Sequence, residues 1–145
     1  MKLNITIEPA NLNGYQNISP LKGDSLVPID VADNSCEEII VETIDYIPCT
    51  QVYDTLSHYI SKLRHQGIIT IIGTQVDIIL NKYTTRQISL DELNKGLFGA
   101  NQHPWDNKRS MNHIHLLNNI LKKHNLMILE QHLDQDKFII KGKRL

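Results

Sequence analysis

The sequence of 145 residues has only two cysteines, Cys36 and Cys49, too few for a disulfide framework or a four-ligand zinc set. No apolar run approaches the length of a transmembrane span, and the first ten residues lack the apolar core of a signal peptide. These absences predict a protein of a reducing, cytoplasmic compartment without membrane association.

Net charge is also nearly absent. A formal net charge of −1 provides no global field to draw the chain onto nucleic acid or a membrane surface. The charge is nevertheless uneven, because residues 1–48 contain two basic and eight acidic residues, whereas residues 49–145 contain thirteen and eight. The two ends of the chain could attract each other or a partner, and the charge split alone identifies neither. A protein partner and self-association are both open expectations.

The composition is globular, with 41% hydrophobic and 21% charged residues, and the length suits one domain over residues 1–145. Isoleucine, asparagine and lysine together supply 45 of the 145 residues. Because their codons are AT-rich, we expect a viral or bacterial source, and for a viral source a virus particle as the alternative location.

Hydrophobic patterning predicts an alternation of strands and helices. Predicted strands span residues 2–8, 14–18, 26–31, 38–42 and 68–72, and a hairpin joins residues 126–132 to 137–141. This order predicts an α/β, three-layer Rossmann-like sandwich with a mostly parallel sheet and a C-terminal antiparallel hairpin. Ligands of such folds bind beyond the carboxyl ends of the strands.

Two long helices are predicted. The first covers residues 50–64 with Thr50 as its N-cap, and its apolar stripe should face the strand at 68–72. The second covers residues 110–124, with Ser110 as its cap and Asn125 as a left-handed stop. Residues 76–83 form a short helix, and Ser89 with Glu92 opens another through a capping box.

Several short motifs stand in an order that resembles the class I S-adenosylmethionine (SAM)-dependent methyltransferases, specifically a short branch of that family. The motifs are Lys2-Leu3-Asn4-Ile5, Gly14-Tyr15-Gln16-Asn17, Ile44-Asp45-Tyr46-Ile47-Pro48, Leu63-Arg64-His65-Gln66-Gly67, and Leu97-Phe98-Gly99 followed by Gln102, Pro104, Trp105 and Asp106. The resemblance implies a methyltransferase-like Rossmann fold and, if the chain is active, SAM as cofactor.

The sequence departs from the family where the cofactor would be held. The family's glycine turn is replaced by a segment containing Glu8 and Pro9, so one backbone donor is lost and a carboxylate is added near the expected methionine carboxylate. Ser19 stands at the place of the acid that holds the ribose hydroxyls. Asp30, expected at a strand end, occupies the place of the acid near the adenine.

Other candidate site residues come from the same resemblance. Asp45 and Tyr46 replace the family's Glu-His pair and are candidates for acid-base catalysis, a structural hydrogen bond being the alternative. Thr74-Gln75 replaces its Pro-Asp. Gln102, His103, Trp105 and Asp106 form a predicted binding loop, since such residues in a loop seldom serve a core.

A metal site is not expected. His113 and His115 should face different sides of one helix, and His58 and His65 share a face without a carboxylate at metal-ligand spacing. The sequence therefore supports two main hypotheses. One is a degenerate, non-catalytic methyltransferase-like module reused for interaction or assembly; the other is an active SAM-dependent methyltransferase with an atypical pocket. A small-molecule binder that uses the old cleft is a weaker third hypothesis.

Overall fold

The computed structural model describes residues 1–7, 11–27 and 29–145. Its strands are β1 (Lys2–Ile5), β2 (Gln16–Ile18), β3 (Cys36–Val41), β4 (Leu63–Thr74), β5 (Leu126–Asp134) and β6 (Lys137–Arg144). Its α-helices are α1 (Val52–Lys62), α2 (Val76–Thr84), α3 (Leu90–Phe98) and α4 (Ile114–Lys123). Short 3-10 turns lie at Pro20–Lys22, Ile44–Tyr46 and Cys49–Gln51.

The six strands form one sheet in the order β2-β1-β3-β4-β6-β5. The first four strands in this order are parallel, whereas β6 is antiparallel to both β4 and β5. This arrangement confirms the predicted Rossmann-like α/β fold with a C-terminal hairpin. The apolar segment at residues 68–72 belongs to β4, which lies inside the sheet between β3 and β6.

One face of the sheet carries the main core. Ile39, Val41, Ile69 and Ile71 occupy it and are 0% exposed. The buried residues of α1 and α4 belong to the same cluster, and Leu121 of α4 lies 3.2 Å from where a Cβ on Gly142 would stand. The predicted packing of the α1 stripe against β4 is therefore confirmed.

The opposite face of β3, β4 and β6 is only half-buried, at Ile40, Ile68, Ile72 and Ile139. The helices α1 and α4 share the other face, whereas α2 and α3 pack mainly against each other. A second helical layer, expected for a three-layer sandwich, is thus not formed by the helices described.

Some predicted elements are wrong. Residues 26–27 and 29–31 are not in a strand, and Pro28 lies outside the described residues. The backbone carbonyl of Leu26 instead accepts the Tyr59 hydroxyl at 2.7 Å, while the Ile29 N–H donates to His58 Nε2 at 3.1 Å. This segment is fixed by long-range contacts that no local pattern encodes.

Both long helices start later than predicted. A 3-10 turn at Cys49–Gln51 precedes α1, and Thr50 is not its cap. Ser110 donates to the Ile44 carbonyl at 3.1 Å, and α4 begins after His113, whose Nδ1 accepts the His115 N–H. The short helix after β4, the Ser89–Glu92 capping box and the left-handed Asn125 are confirmed.

The histidine geometry also differs from the prediction. His113 is a cap and not a helical residue, so its ring stacks on that of His115 at a centroid distance of 4.9 Å. His65 lies in β4 and shares no helix face with His58. Across the described ranges, no group of three or more histidine, cysteine, aspartate or glutamate residues is placed to hold a metal ion. No helix there is long and apolar enough to cross a membrane.

Candidate functional site

Three clefts meet around Tyr46, beyond the carboxyl ends of β1, β3 and β4. A cleft of about 160 Å³ lies over Thr6, Gly73 and Lys108. A second, of about 190 Å³, lies beside His103 and Trp105, and a third, of about 300 Å³, lies beside Asp24 and Arg109. Tyr46 lines all three. This is the end of the sheet at which an open α/β fold binds its ligands.

The 3-10 turn at Ile44–Tyr46 places two neighbouring side chains in different surroundings. Asp45 is buried, whereas the ring of Tyr46 is half-exposed and borders the clefts. The turn is held by the N–H of Tyr46, which donates to the Thr43 carbonyl at 3.0 Å. Of the two predicted acid-base candidates, Tyr46 is thus the more accessible to a ligand.

The carboxylate of Asp45 joins three segments of the chain. It accepts the Thr74 backbone N–H at 2.9 Å and the Asn112 amide at 3.0 Å. The backbone carbonyl of Asp45 accepts the N–H groups of Arg109 and Ser110. Because these partners lie 29 to 67 residues away in the sequence, Asp45 connects the end of β3 to β4 and to the segment before α4.

Lys108 completes this buried polar cluster. Its Nζ lies 3.7 Å from Asp45 Oδ2 and donates to Thr74 Oγ1 and to the Gly96 carbonyl, both at 3.0 Å. The two side chains are 13% and 8% exposed, so the ion pair is nearly removed from water. A buried charge needs such partners to offset the cost of leaving water. These contacts give Asp45 and Lys108 a structural role.

Gln75 positions the start of α4. It is 2% exposed, and its Oε1 accepts the N–H of Ile114 at 2.9 Å. The Val76 N–H donates to the Asn112 carbonyl, which joins the same two segments a second time. Thr74 and Gln75 stand at the family's Pro-Asp position, and both are engaged in contacts within the chain.

The predicted binding loop is held closed by Asp106. Its carboxylate accepts the backbone N–H groups of Gln102 at 3.0 Å and His103 at 3.1 Å. Gly99 has a φ of +82°, and a Cβ there would stand 2.3 Å from the Asp106 carbonyl oxygen. The loop therefore requires glycine at position 99, and Asp106 maintains the conformation of the loop.

Two aromatic rings of this loop face the cleft. The rings of His103 and Trp105 stack at a centroid distance of 4.8 Å and an interplanar angle of 5°. His103 is exposed and Trp105 half-exposed, and both line the cleft of about 190 Å³ together with Gln102 and Tyr46. The structure thus brings the binding-loop residues and Tyr46 together. A flat aromatic or weakly polar ligand would suit this wall.

Ser19 has its polar groups engaged within the chain. It is 2% exposed, and its hydroxyl donates to the Ile7 carbonyl and accepts the Leu21 N–H, both at 3.3 Å. Its N–H donates to Asp24 Oδ2 at 3.1 Å. The carboxylate at this end of β2 therefore belongs to Asp24, which also lies 3.8 Å from Lys22 Nζ and lines the largest of the three clefts.

The other two cofactor candidates do not join the site. Asp30 is exposed, follows no strand and lines none of the three clefts. Glu8 lies outside the described residues, as do Pro9 and Ala10. The described residues therefore do not fit SAM in the manner of the family, since the hydroxyl at the ribose position is engaged in contacts within the chain and the adenine-side acid lies away from the clefts.

Sequence reasoning missed Asp24, Lys108 and Asn112. Lys108 and Asn112 lie between α3 and α4 and carry no motif of their own. Their role depends on Asp45, more than 60 residues earlier in the chain. The one usable signal was that an acid in an apolar stretch, Ile44-Asp45-Tyr46-Ile47, needs a partner if it is buried.

Comparison with solved structures identifies the fold. The chain is similar to a SAM-dependent methyltransferase from Methanosarcina mazei, with a TM-score of 0.62, 10% identity and coverage of 99% of this chain and 82% of the other. It is also similar to 1,6-didemethyltoxoflavin-N1-methyltransferase from Burkholderia thailandensis, solved with S-adenosylhomocysteine, with a TM-score of 0.60, 6% identity and coverage of 99% and 70%.

A third similar structure is a methyltransferase of Haloferax volcanii in complex with the Trm112 methyltransferase activator, with a TM-score of 0.58, 8% identity and coverage of 96% and 70%. Across such structures the chain spans from 31% to 82% of the other protein's length. No family model matches the sequence, and no curated protein matches it. At these identities the comparisons show a methyltransferase-like, Rossmann-like fold.

Proposed function

We propose that the chain is a degenerate methyltransferase-like module that does not catalyse methyl transfer and acts in interaction or assembly. The observation that carries this proposal is the state of Asp45. Its carboxylate is 8% exposed and is already bound by Thr74, Asn112 and Lys108. A general base must reach the substrate proton with a free lone pair, and this carboxylate is committed to the fold.

The ribose side of the site supports the same proposal. A carboxylate would bind the two ribose hydroxyls with charge-assisted hydrogen bonds, which are about twice as strong as neutral ones. The hydroxyl of Ser19 is buried and engaged with Ile7 and Leu21. The sequence adds Glu8 and Pro9 at the methionine side, where they remove a donor and add a negative charge.

Calorimetry and thermal shift with SAM and S-adenosylhomocysteine test the proposal. Loss of about 3 kcal/mol of binding energy is already more than a hundredfold in affinity, so no heat and no thermal shift are expected at millimolar ligand. Micromolar binding would contradict the proposal. A positive signal should then be repeated with Trp105→Ala, which removes the cleft wall, and with Phe98→Ala, an exposed aromatic outside the three clefts, as the matched control.

An active SAM-dependent methyltransferase with an atypical pocket is the second candidate. It is favoured by the retained clefts at the carboxyl ends of β1, β3 and β4 and by the paired rings of His103 and Trp105. In this case Asp24 would replace Ser19 at the ribose. Micromolar binding of SAM that Asp24→Asn weakens about tenfold or more, the value of a charge-assisted contact, would support this candidate.

The proposed module is expected to have a protein partner or to bind itself. One structural neighbour is a methyltransferase solved with the Trm112 activator, and that complex is a property of the neighbour. We place this chain in a reducing, cytoplasmic compartment, which agrees with free Cys36 and Cys49. Reaction of the exposed Cys49 with a thiol reagent in freshly lysed cells would support this location, whereas complete oxidation would contradict it.

A further inference from the structure

We infer that the chain forms a symmetric dimer through the sheet face that α1 and α4 leave open. We call this surface the open face and define it by four half-buried isoleucines of β3, β4 and β6: Ile40, Ile68, Ile72 and Ile139. Parallel sheets occur almost only with both faces covered. The inference deepens the proposed function and rests on it, because it names the partner of an interaction module.

The register places these side chains in one patch. Ile40 is paired with Thr70, and Ile72 is paired with Ile139. Thr70 is 8% exposed between them. The β1–β2 end of the same face is covered by the chain itself, since Tyr15 donates to Glu38 Oε2 at 2.7 Å and Asn17 contacts the backbone of Leu12.

Charge identifies the occupant as a second copy. On the β3 side of the open face lie Glu38 and Glu42, and on the β6 side lie Lys141 and Lys143. Glu38 and Lys143 pair with the same β4 residue, Ile68, from opposite sides. The open face thus has an acidic edge and a basic edge with an apolar row between them. Such a surface is complementary to itself.

Only one symmetric arrangement uses this complementarity. A two-fold axis parallel to β4, lying between two stacked sheets, turns the acidic edge of one copy onto the basic edge of the other. An axis perpendicular to the strands would instead place Glu38 and Glu42 against themselves. The first arrangement keeps the strands of the two sheets aligned, as in ordinary sheet-on-sheet packing about 10 Å apart.

Several of these charges are available for such contacts. Within residues 1–7, 11–27 and 29–145, neither Glu42 nor Lys143 forms a salt bridge. Glu38 is bound to Lys2 at 3.4 Å and Lys141 to Glu130 at 3.6 Å, so these two ion pairs lie along the surface.

At strand spacings of about 4.8 Å and rises of about 3.3 Å, the open face covers roughly 300 Å² per copy. This area is small for a permanent interface, so the dimer should dissociate on dilution.

Sedimentation equilibrium of the full chain, from micromolar to near-millimolar concentration, tests the inference. The expected result is a reversible shift from the 16.7 kDa monomer to twice that mass, weakened by added salt. A monomer at every concentration would overturn it. So would a dimer whose strength is unchanged by Lys143→Glu, which we expect to weaken association at least about tenfold by placing like charges opposite each other.

A mixing experiment separates the interface from any effect on folding. Lys143→Glu and Glu38→Lys should each dimerise poorly alone, and an equimolar mixture should restore the dimer, since every contact then joins opposite charges. Failure of the mixture to recover would overturn the proposed axis. Lys123→Glu, an equal charge change on exposed α4, is the matched control and should not alter association.

Far-UV circular dichroism and melting temperature verify that the variants fold. SAM binding is measured on the same samples by calorimetry. A dimer that also binds SAM would overturn the non-catalytic proposal alone, whereas a monomer that fails to bind SAM would overturn the dimer alone.

Discussion

The two faces of the central sheet are built from the same strands and have opposite surroundings. On the face covered by α1 and α4, the alternate residues Leu3, Ile39, Ile69 and Ile140 are 0% exposed. On the open face, residues one position away are half-buried and mixed with glutamate and lysine. The covered face stabilises the fold, and the open face remains available for contact.

Composition alone does not distinguish a core from an interface. Ile68, Ile69, Ile71 and Ile72 belong to one apolar segment, and only the strand period of two separates their roles. A parallel sheet usually requires that both of its faces be covered. In the described part of the chain, helices cover one of the two faces of the sheet.

The largest expected difference between the faces is in the cost of removing an apolar side chain. Leu56→Ala should lower the free energy of unfolding by about 2–5 kcal/mol, because Leu56 is 0% exposed against the covered face. Ile139→Ala on the open face should cost about 1 kcal/mol or less in the monomer, since its side chain already contacts water.

Urea denaturation of both variants, at a concentration where the protein is monomeric, measures this difference. A loss below about 0.5 kcal/mol for Leu56→Ala, the range of surface sites, would mean that the α1 stripe does not pack on the sheet. Equal losses for the two variants would remove the distinction between the faces.

A second, smaller effect concerns the nearly buried ion pair between Asp45 and Lys108, at the carboxyl ends of the strands. Asp45→Asn removes the charge that faces Lys108 while keeping the shape of the side chain. The expected loss is about 1–3 kcal/mol, because Lys108 would remain nearly buried without its ion-pair partner. Asp134→Asn, at an exposed position before the β5–β6 turn, is the matched control and should change stability little.

Thermal denaturation of the two variants provides the measurement. If Asp45→Asn leaves the melting temperature unchanged, the carboxylate is not structural. Our explanation of the candidate site would then fail, and Asp45 would again be available for acid-base chemistry.

The success of sequence reasoning follows the range of the interactions involved. The capping box of Ser89 and Glu92 and the left-handed Asn125 depend on neighbours within four residues, and both are confirmed. The alternation of strands and helices also predicts the mostly parallel sheet with its C-terminal hairpin, and this prediction is confirmed. The misassigned segment around Leu26 is held by Tyr59 and His58, about thirty residues away, and no local periodicity records such contacts.

The candidate site shows the same limit. The resemblance places Asp45, Tyr46 and the binding loop at one end of the sheet, and the structure brings Tyr46 and the loop together there. The resemblance cannot distinguish an acid that binds a ligand from an acid that stabilises the fold. That distinction depends on whether the carboxylate is already bound, and the partners of Asp45 come from segments 29 to 67 residues away.

The smallest expected effect lies at the edge of the open face, where Tyr15 meets Glu38. Its hydroxyl donates to Glu38 Oε2 at 2.7 Å, and this hydrogen bond, partial burial and the nearby carboxylates raise the pKa of Tyr15 to about 12 from 10.0. A pKa raised on folding stabilises the protein below pH 10, and this contribution is lost as the pH rises through about 12. The stability advantage of the wild type over Tyr15→Phe should therefore shrink over that range.

The difference in phenolate absorbance between the two proteins measures the pKa of Tyr15 directly, and Glu38→Gln should lower this pKa. A midpoint near 10 in the wild type would show that the Tyr15 hydroxyl does not donate to Glu38.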